Sequence, residues 1–281
     1  MQITNRDRVI EAIDRLIEAN APLRKQTALA KPERKLTAAM ARAFRAEERA
    51  FLARLKQRQA AFPSESLREV AERIDWEDLY DDAATETQLK FAEPLDEFSA
   101  KLLQAGMTAA ATELDLETTF DLAHPEAVAY LEQKGADRVT KIRDTTRDRL
   151  RTLLTRAADE GWSYARTARE ISALYRSMAG PQRGVAQVSH LRSRAEAIAV
   201  FELGDAYEHG NMLVAKDLQA SGLEMQKKWL SVGDDRVRPE HRANQEQGWI
   251  PLDDAFQDGN DRPPSDPGCR CTLLMRRKPD A

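Results

Sequence analysis

The sequence predicts a mainly α-helical protein, a helical body that carries a small α+β module at its C-terminal end. Up to Gly222, apolar residues recur at three- and four-residue steps, the spacing of a helix that is buried on one face. After Gly222 the period changes to two and turn residues become frequent, which predicts short strands. Aromatic residues make up only 6% of the chain and charged residues 32%, a composition that suits amphipathic helices.

Prolines and glycines delimit the helices expected in the N-terminal part. A short amphipathic helix is predicted over residues 5–19, and Asn20–Pro22 would end it. A long helix should follow from about residue 32 to residue 61. Two further helices are predicted on either side of Pro94, the second ending near Gly106, and another helix at 107–114.

Capping residues define the later helices. Pro125 can open a helix, and Gly161 supplies the left-handed stop that ends its regular periodicity. Ser163 is expected to cap a helix that reaches residue 175, and Ser189 to open a last long helix that ends at Gly222. The side chains expected to face inward after Ser163 are Ala165, Ala168, Ile171 and Leu174.

The C-terminal segment alternates strands with turns. Met225 to Val232 suits a strand, and Trp249 to Leu252 could pair with it as a second. Pro239 is well placed at the first position of a short helix that bears His241. Cys269 to Met275 is predicted as a third strand after a proline-rich loop.

The chain of 281 residues is long enough for one large or two ordinary domains. We divide it into residues 1–100, of unknown role, a helical body at 101–222 and the module at 223–281. No run of eighteen apolar residues predicts a membrane span, and the first residues lack the apolar core of a secretion signal. Two cysteines separated by one residue do not indicate a disulfide framework, so we expect assembly in a reducing cytoplasm.

The net charge of −4 conceals two blocks of opposite sign. Residues 75–126 hold fourteen Asp and Glu against two Lys, whereas residues 141–196 hold twelve Lys and Arg against six acids. The blocks could bind different partners on different faces, one half of the chain could fold against the other, or both could be solvated helix faces.

The basic block supplies the best candidates for contact with DNA. Because acidic residues are interspersed and the chain is negative overall, such binding should be weak and independent of base sequence. The candidate residues are Arg143, Arg147, Arg149, Arg151, Arg156, Arg166 and Arg169.

Both cysteines and one histidine in the module suggest a zinc site. On a strand, Cys269 and Cys271 would leave the same face, and two thiolates with the His241 imidazole suit tetrahedral zinc. Asp235 or Asp253 could supply the fourth ligand. The alternative is that both thiols are small buried hydrophobes and that His241 hydrogen-bonds Asp235 to fix the turn.

A catalytic interpretation competes with the structural one. A Cys–His pair suggests a nucleophile and its base, and Asp235 with His241 suggests metal-assisted hydrolysis. The segment lacks the glycine-rich surroundings of an oxyanion hole, however, and the chain has no phosphate-binding loop, serine elbow or zincin helix. The best candidates for an ion-pair network are Asp235, Arg236 and Arg238, while His124, His190 and His209 are expected to be structural or exposed.

The module resembles the phage Mu F-like head morphogenesis (minor head protein) family. The residues that carry the resemblance are Lys228, Trp229, Asp235, Arg236, Arg238, His241, Pro251, Asp253, Phe256, Cys269 and Cys271. Further similarity lies upstream, at residues 120–131, 142–147, 161–164 and Ile171, so that the resemblance covers about residues 100 to 275. In the last long helix, Val200 and Phe201 replace the Arg-Thr pair usual in the family.

The resemblance implies a minor component of the virion, present in few copies at the portal vertex or in the head interior and assembled in the bacterial host cytoplasm. Portal protein and the major capsid or scaffold protein would be its partners, with double-stranded DNA as a further, non-specific one. A binding module delivered with the genome is another possibility.

Overall fold

The computed structural model describes residues 5–60, 75–116, 122–180 and 193–279. This part of the chain contains six helices and three short strands, and all three strands lie near the C-terminal end. The predicted fold class, mainly α with a small α+β module, is confirmed. The helices are α1 Asn5–Ala60, α2 Trp76–Glu113, α3 Pro125–Asp159, α4 Tyr164–Ala179, α5 Arg194–Ala220 and α6 Pro239–Glu246. The strands are β1 Met225–Leu230, β2 Ile250–Pro251 and β3 Thr272–Arg277.

The N-terminal helices are longer than predicted, because three prolines lie inside them without ending them. α1 runs through Pro22 and Pro32, and α2 runs through Pro94. The predicted break at Asn20–Pro22, the break at Pro94 and a separate helix at 107–114 were therefore wrong. A proline removes one backbone hydrogen bond and costs about 3 kcal/mol in a helix interior. Burial of apolar side chains along these helices, such as Leu29 and Leu95, offsets that cost.

Gly106 lies inside α2, where it permits a close helix crossing instead of ending the helix. A Cβ atom at Gly106 would lie 2.0 Å from the carbonyl oxygen of Tyr207 in α5. On the other side of the crossing, a Cβ atom at Gly210 would lie 2.2 Å from the carbonyl oxygen of Leu103. The two backbones therefore touch, and only glycine fits at both positions.

The later helices begin and end close to their predicted capping residues, although α4 runs to Ala179, past the predicted end at residue 175. Pro125 is the first residue of α3, and Gly161 adopts a φ of +63° after it. Ser163 caps α4 by accepting a hydrogen bond from the backbone N–H of Arg166, and Gly222, with a φ of +97°, follows the end of α5. The predicted helix start at Ser189 lies outside the described residues.

The buried face of α4 differs from the predicted one. Ile171 is buried as expected, but the residue at 165 is exposed and those at 168 and 174 are only half-buried. The side chains that fill the core are Thr167, Ile171, Tyr175 and Met178, which also repeat at helical spacing. The larger side chains of Tyr175 and Met178 bury more apolar area than the alanines, and this difference decides which face turns inward.

The strands form an antiparallel sheet in the order β2–β1–β3. Trp229 pairs with Leu273 and Lys227 with Met275, and both residues of β1 point into the core. β3 begins at Thr272, so Cys269 and Cys271 precede the strand and do not belong to it. Residues 265–271, here called the cysteine loop, carry both thiols.

The described residues form two compact units, each built from separate stretches of the chain. The first unit contains the described parts of Met1–Arg34, Glu97–Leu131 and Val200–Ala281, and the second those of Lys35–Asp96 and Glu132–Ala199. The division of roles at residues 100 and 222 stays a prediction. Among the described helices, none carries the long uncharged apolar stretch that crossing a bilayer would require.

Candidate metal centre

His241, Cys269 and Cys271 meet inside the first unit. The Nδ1 atom of His241 lies 3.8 Å from the Sγ atom of Cys269 and 3.5 Å from that of Cys271. The ligand atoms of the three residues all lie within 4.8 Å of one another. The exposed fraction of the surface is 3% for His241, 5% for Cys269 and 2% for Cys271. The sequence therefore predicted the grouping of the three, although not the loop that carries the cysteines.

Two local features bring these side chains together. Pro239 begins α6 and places His241 in the first turn of that helix. In the cysteine loop, the backbone N–H of Cys269 donates to the carbonyl of Asp266 at 3.0 Å, and Gly268 takes a φ of +83°. This tight turn, which the left-handed glycine allows, directs both thiols toward the helix.

The far side of the imidazole is held by Ser265 and Asp266. The Nε2 atom of His241 lies 2.8 Å from Ser265 Oγ and 3.5 Å from an Asp266 carboxylate oxygen. Because the Ser265 hydroxyl donates to Asp266 at 3.3 Å, its lone pair is free to accept the Nε2–H of histidine. In the neutral ring, that arrangement leaves the lone pair of Nδ1 facing the two sulfurs.

The thiols influence each other's ionisation. A hydrogen bond from Cys271, reinforced by His241, lowers the pKa of Cys269 to about 4. The same contact with Cys269, together with burial, raises the pKa of Cys271 above its ordinary value. The hydrogen bond with Cys269 raises the pKa of His241. The cluster therefore favours one thiolate beside an imidazole even without a bound cation.

The carboxylates predicted to complete the site lie elsewhere. Neither Asp235 nor Asp253 belongs to the described cluster of ligand atoms. The backbone carbonyl of Asp235 accepts a hydrogen bond from Arg242, and the Asp253 carboxylate accepts one from Gln219 at 2.6 Å. The residues that do hold His241, Ser265 and Asp266, were missed, although they stand just before the cysteines in the sequence.

Other residues of the family-like motif make contacts in the same module, and one of them, Arg238, holds the cysteine loop. Arg238 donates to the carbonyl of Pro267 at 3.1 Å, and Arg236 pairs with Asp234 at 2.7 Å, where the sequence suggested Asp235. The rings of Trp229 and Phe256 meet edge to face at 5.2 Å. Trp229 also lies 5.3 Å from the His241 ring and so covers the cluster with an apolar side chain.

α1 approaches the module with a face that carries ion pairs. Lys228 binds Glu18 at 2.6 Å, Arg276 binds Asp14, and Arg270 of the cysteine loop binds Glu33 at 3.3 Å. At 100° per residue, the three acidic residues of α1 fall within one third of the helix surface. These contacts connect α1 to both ends of the module.

A buried ion pair lies on the same face of α1. Lys25 binds Glu208 of α5 at 2.6 Å and also donates to the backbone carbonyl of Cys271. The other carboxylate oxygen of Glu208 accepts from Asn211 at 2.7 Å. Every charge in this network is therefore paired, and the backbone of one predicted metal ligand is fixed by it.

A cavity of about 430 Å³ opens next to the cysteine loop within the first unit. Both polar and apolar side chains contribute to its wall. Its lining residues from α1 are Pro22, Lys25, Gln26, Leu29, Ala30 and Glu33, and those from the other side are Val200, Gly204, Val232, Cys269, Arg270 and Thr272.

The basic block folds against the acidic block inside the second unit. Arg143 and Arg147 pair with Asp81, and Arg151 pairs with Glu77 at 3.1 Å. Of the three interpretations of the charge blocks, mutual folding therefore holds for this part of the chain. Arg156 and Arg166 both bind Glu160, while Arg169 is exposed.

The other histidines lie away from the cluster or outside the described residues. His124 contacts Asp217 at 3.2 Å. His209 stacks on Tyr130 with a ring separation of 4.1 Å, and burial lowers its pKa to about 3. Both have the structural surroundings that the sequence suggested, whereas His190 lies outside the described part of the chain.

Residues 148–274 match the model of the family described as Phage Mu protein F like protein. The matched stretch begins within α3 and includes His241, Cys269 and Cys271. No curated protein and no solved structure shows significant similarity to the chain.

Proposed function

We propose that this chain is a structural minor head protein, because residues 148–274 match the phage Mu protein F-like family, which suggests a role in phage head morphogenesis. It would act during assembly of the head, at the portal vertex or in the head interior. The family match is the observation that carries this proposal.

The construction of the first unit supports an attachment role. A small sheet has little core of its own, yet this one is bound to α1 through Lys228, Arg270 and Arg276. The buried Lys25–Glu208 pair adds a contact that is shielded from solvent. Such a unit can present a fixed surface to another protein without changing shape.

Burial of the chemical groups argues for structure over turnover. A nucleophile or general base must reach the atoms of a substrate. Here His241, Cys269 and Cys271 are all buried, and Trp229, which itself packs against Phe256, lies against the histidine ring. The cluster is therefore better suited to holding the module together than to catalysis.

Protein partners are proposed over DNA as the main contacts. The portal protein and the major capsid or scaffold protein are the partners that suit a minor head protein. Contact with packaged DNA would be weak, because Asp81 and Glu77 already neutralise three of the arginines that could bind phosphates. Arg169, which is exposed, would be among the residues that remain available.

A phage or prophage deleted for this chain provides the test. Complementation with the wild-type chain should restore the yield of DNA-filled heads, and the protein should co-purify with them. A variant with His241→Gln, Cys269→Ser and Cys271→Ser that stays folded should also restore assembly, because no turnover is required. Normal head yield without the chain would contradict a role in assembly.

A cysteine-dependent hydrolase of head maturation or DNA entry is the competing function. The observation that favours it is the cavity beside Cys269, together with His241 at 3.8 Å and the Asp266 carboxylate behind the ring. A chloroacetamide probe distinguishes the two functions. Fast labelling of Cys269 in the folded chain, with loss of head assembly in a folded Cys269→Ser variant, would favour the enzyme.

A further inference from the structure

We infer that His241, Cys269 and Cys271 bind one divalent zinc ion through Nδ1 and two thiolates. Head assembly does not itself require this metal site. The spacing of the ligand atoms, the orientation of the imidazole and the type of ligand support it.

The spacing suits a tetrahedral ion. With bonds of about 2.3 Å to sulfur and about 2.0–2.1 Å to nitrogen, a tetrahedral centre holds its S and N ligand atoms about 3.5 Å apart. The distances from His241 Nδ1 are 3.5 Å to Cys271 and 3.8 Å to Cys269. All three ligand atoms therefore lie where small adjustments would place them around one ion.

The imidazole is oriented as a ligand. Histidines that bind metals usually donate their other ring N–H to a carboxylate, carbonyl or hydroxyl, which fixes the tautomer. His241 has Ser265 Oγ at 2.8 Å from Nε2, and Asp266 behind that hydroxyl. A histidine that only filled the core would not need its second nitrogen aimed between two sulfurs.

The type of ligand selects the metal. Two thiolates and one imidazole are soft or borderline donors, which suit zinc and not magnesium or calcium. Among the described residues no carboxylate joins the cluster, so the hard cations lack their preferred oxygen ligands. Three protein ligands leave the fourth position to a water molecule.

The ion would connect two separate segments of the module. His241 lies in the first turn of α6, whereas both cysteines lie in the cysteine loop some thirty residues later. Lys25 and Arg238 hold the same loop through its backbone carbonyls. Zinc would therefore reinforce a loop that the protein already fixes, and its loss should loosen this loop before the rest of the unit.

Metal content and a spectroscopic probe test the inference on the full chain. Protein purified under reducing conditions is analysed for zinc, then stripped with a chelator and titrated with Co²⁺ alone. We expect one zinc per chain and, with cobalt, a thiolate-to-metal band whose intensity corresponds to two sulfur ligands. Because Cys269 and Cys271 are the only cysteines in the sequence, the band reports on this site alone.

Variants separate a ligand from a neighbour. Cys269→Ser, Cys271→Ser and His241→Gln should each abolish stoichiometric zinc. Ser265→Ala removes only the partner of Nε2, so it should keep the fold and weaken zinc binding by about 10–100-fold. Ser177→Ala is the matched control, because the Ser177 hydroxyl donates only to the Leu174 carbonyl in α4. This variant should bind zinc as the wild type does.

Two results would overturn the site. One is wild-type protein with less than about one zinc per ten chains and no cobalt–thiolate band. The other is zinc that persists in the His241 and cysteine variants. Both concern only the ion, since head assembly by a zinc-free chain would leave the proposed function standing.

Discussion

Lys25 and Glu208 form an ion pair of 2.6 Å in the interior of the first unit, although 183 positions separate them in the sequence. Neither side chain is accessible to more than a few percent. Lys25 also donates to the Cys271 carbonyl, and Asn211 donates to Glu208. This relationship links α1, α5 and the cysteine loop through a single network.

Removing one charge of this pair should cost far more stability than removing both. Glu208→Leu or Lys25→Met leaves a buried charge without its partner, which typically costs about 3–5 kcal/mol. The double variant with Lys25→Met and Glu208→Leu should recover most of that loss. Denaturant unfolding of the four proteins measures the coupling as a double-mutant cycle.

An exposed ion pair provides the control for this cycle. Lys101 and Glu97 lie one helical turn apart in α2 and are each about 60% exposed. Lys101→Met should change the free energy of unfolding by less than about 1 kcal/mol. Equal effects at the buried and the exposed pair would show that the Lys25–Glu208 contact does not organise the unit.

The close crossing of α2 and α5 makes a second prediction. Gly106→Ala and Gly210→Ala each place a methyl group within 2.0–2.2 Å of a backbone oxygen, so the helices must separate. We expect each to lower the free energy of unfolding by about 1–3 kcal/mol or more. Thermal unfolding followed by circular dichroism provides the measurement.

Gly204→Ala is the matched control for the crossing, because it lies in the same helix as Gly210. The nearest atom to its added Cβ would be Pro264 Cγ at 3.6 Å, an ordinary contact. This variant should be neutral or stabilised by up to about 1 kcal/mol through helix propensity. Equal destabilisation at Gly204 and Gly210 would contradict a specific close approach.

Glu47 should make the second unit less stable as the pH rises. The carboxyl is buried, accepts a hydrogen bond from Tyr175 at 3.0 Å, and is near Arg194 and Arg143. Burial raises its pKa from 4.5 to about 7, an effect that those three neighbours only partly offset. Because the unfolded chain loses this proton first, the contribution of Glu47 to stability is fully present below about pH 4.5 and is lost as the pH rises to about 7.

Glu47→Gln tests that sign. Glutamine has no titrating carboxyl. Between about pH 5 and about pH 8, the free energy of unfolding of the variant should therefore fall by about 2 kcal/mol less than that of the wild type. Denaturant unfolding at several pH values measures the difference. The exposed Glu86, which pairs with Arg54, provides the control in Glu86→Gln. An unchanged pH profile in Glu47→Gln would contradict the raised pKa.

Release of the arginines held by Asp81 should strengthen binding to DNA. Asp81→Asn frees Arg143 and Arg147 from their acidic partner, so binding to a random duplex should tighten and depend more steeply on salt, by about one or two phosphate contacts. Fluorescence anisotropy across a salt series measures the slope. Glu97→Gln changes the net charge equally elsewhere and should have a smaller effect. Equal slopes in both variants would exclude these arginines as a DNA-binding surface.

The sequence predicted the helical class, the change of period after Gly222 and the convergence of His241 with both cysteines. These features depend on local rules, namely helical spacing, capping by Ser163 and the i, i+2 spacing of the two cysteines. The turn at Gly268 that carries the cysteines was not predicted. The chain has only two cysteines and four histidines, so the cysteine pair and the one histidine of the module can be identified from the sequence alone.

The features that were missed depend on contacts distant in sequence. Pro22 and Pro94 indicate a helix break by local rules, but long buried faces outweigh their cost. Gly106 suggested a helix end because glycine is a poor helix former. Its actual role depends on the backbone of Tyr207, a hundred residues away, which the spacing of residues cannot identify. In the same way, nothing near Lys25 in the sequence indicates Glu208.

Cryo-electron microscopy of assembled heads without imposed symmetry would decide whether the chain is a structural part of the phage head. We expect density for the helices and the C-terminal sheet in few copies, against the portal or on the inner surface of the shell. Heads that assemble and fill normally in the chain's presence yet contain none of it would rule out a structural role.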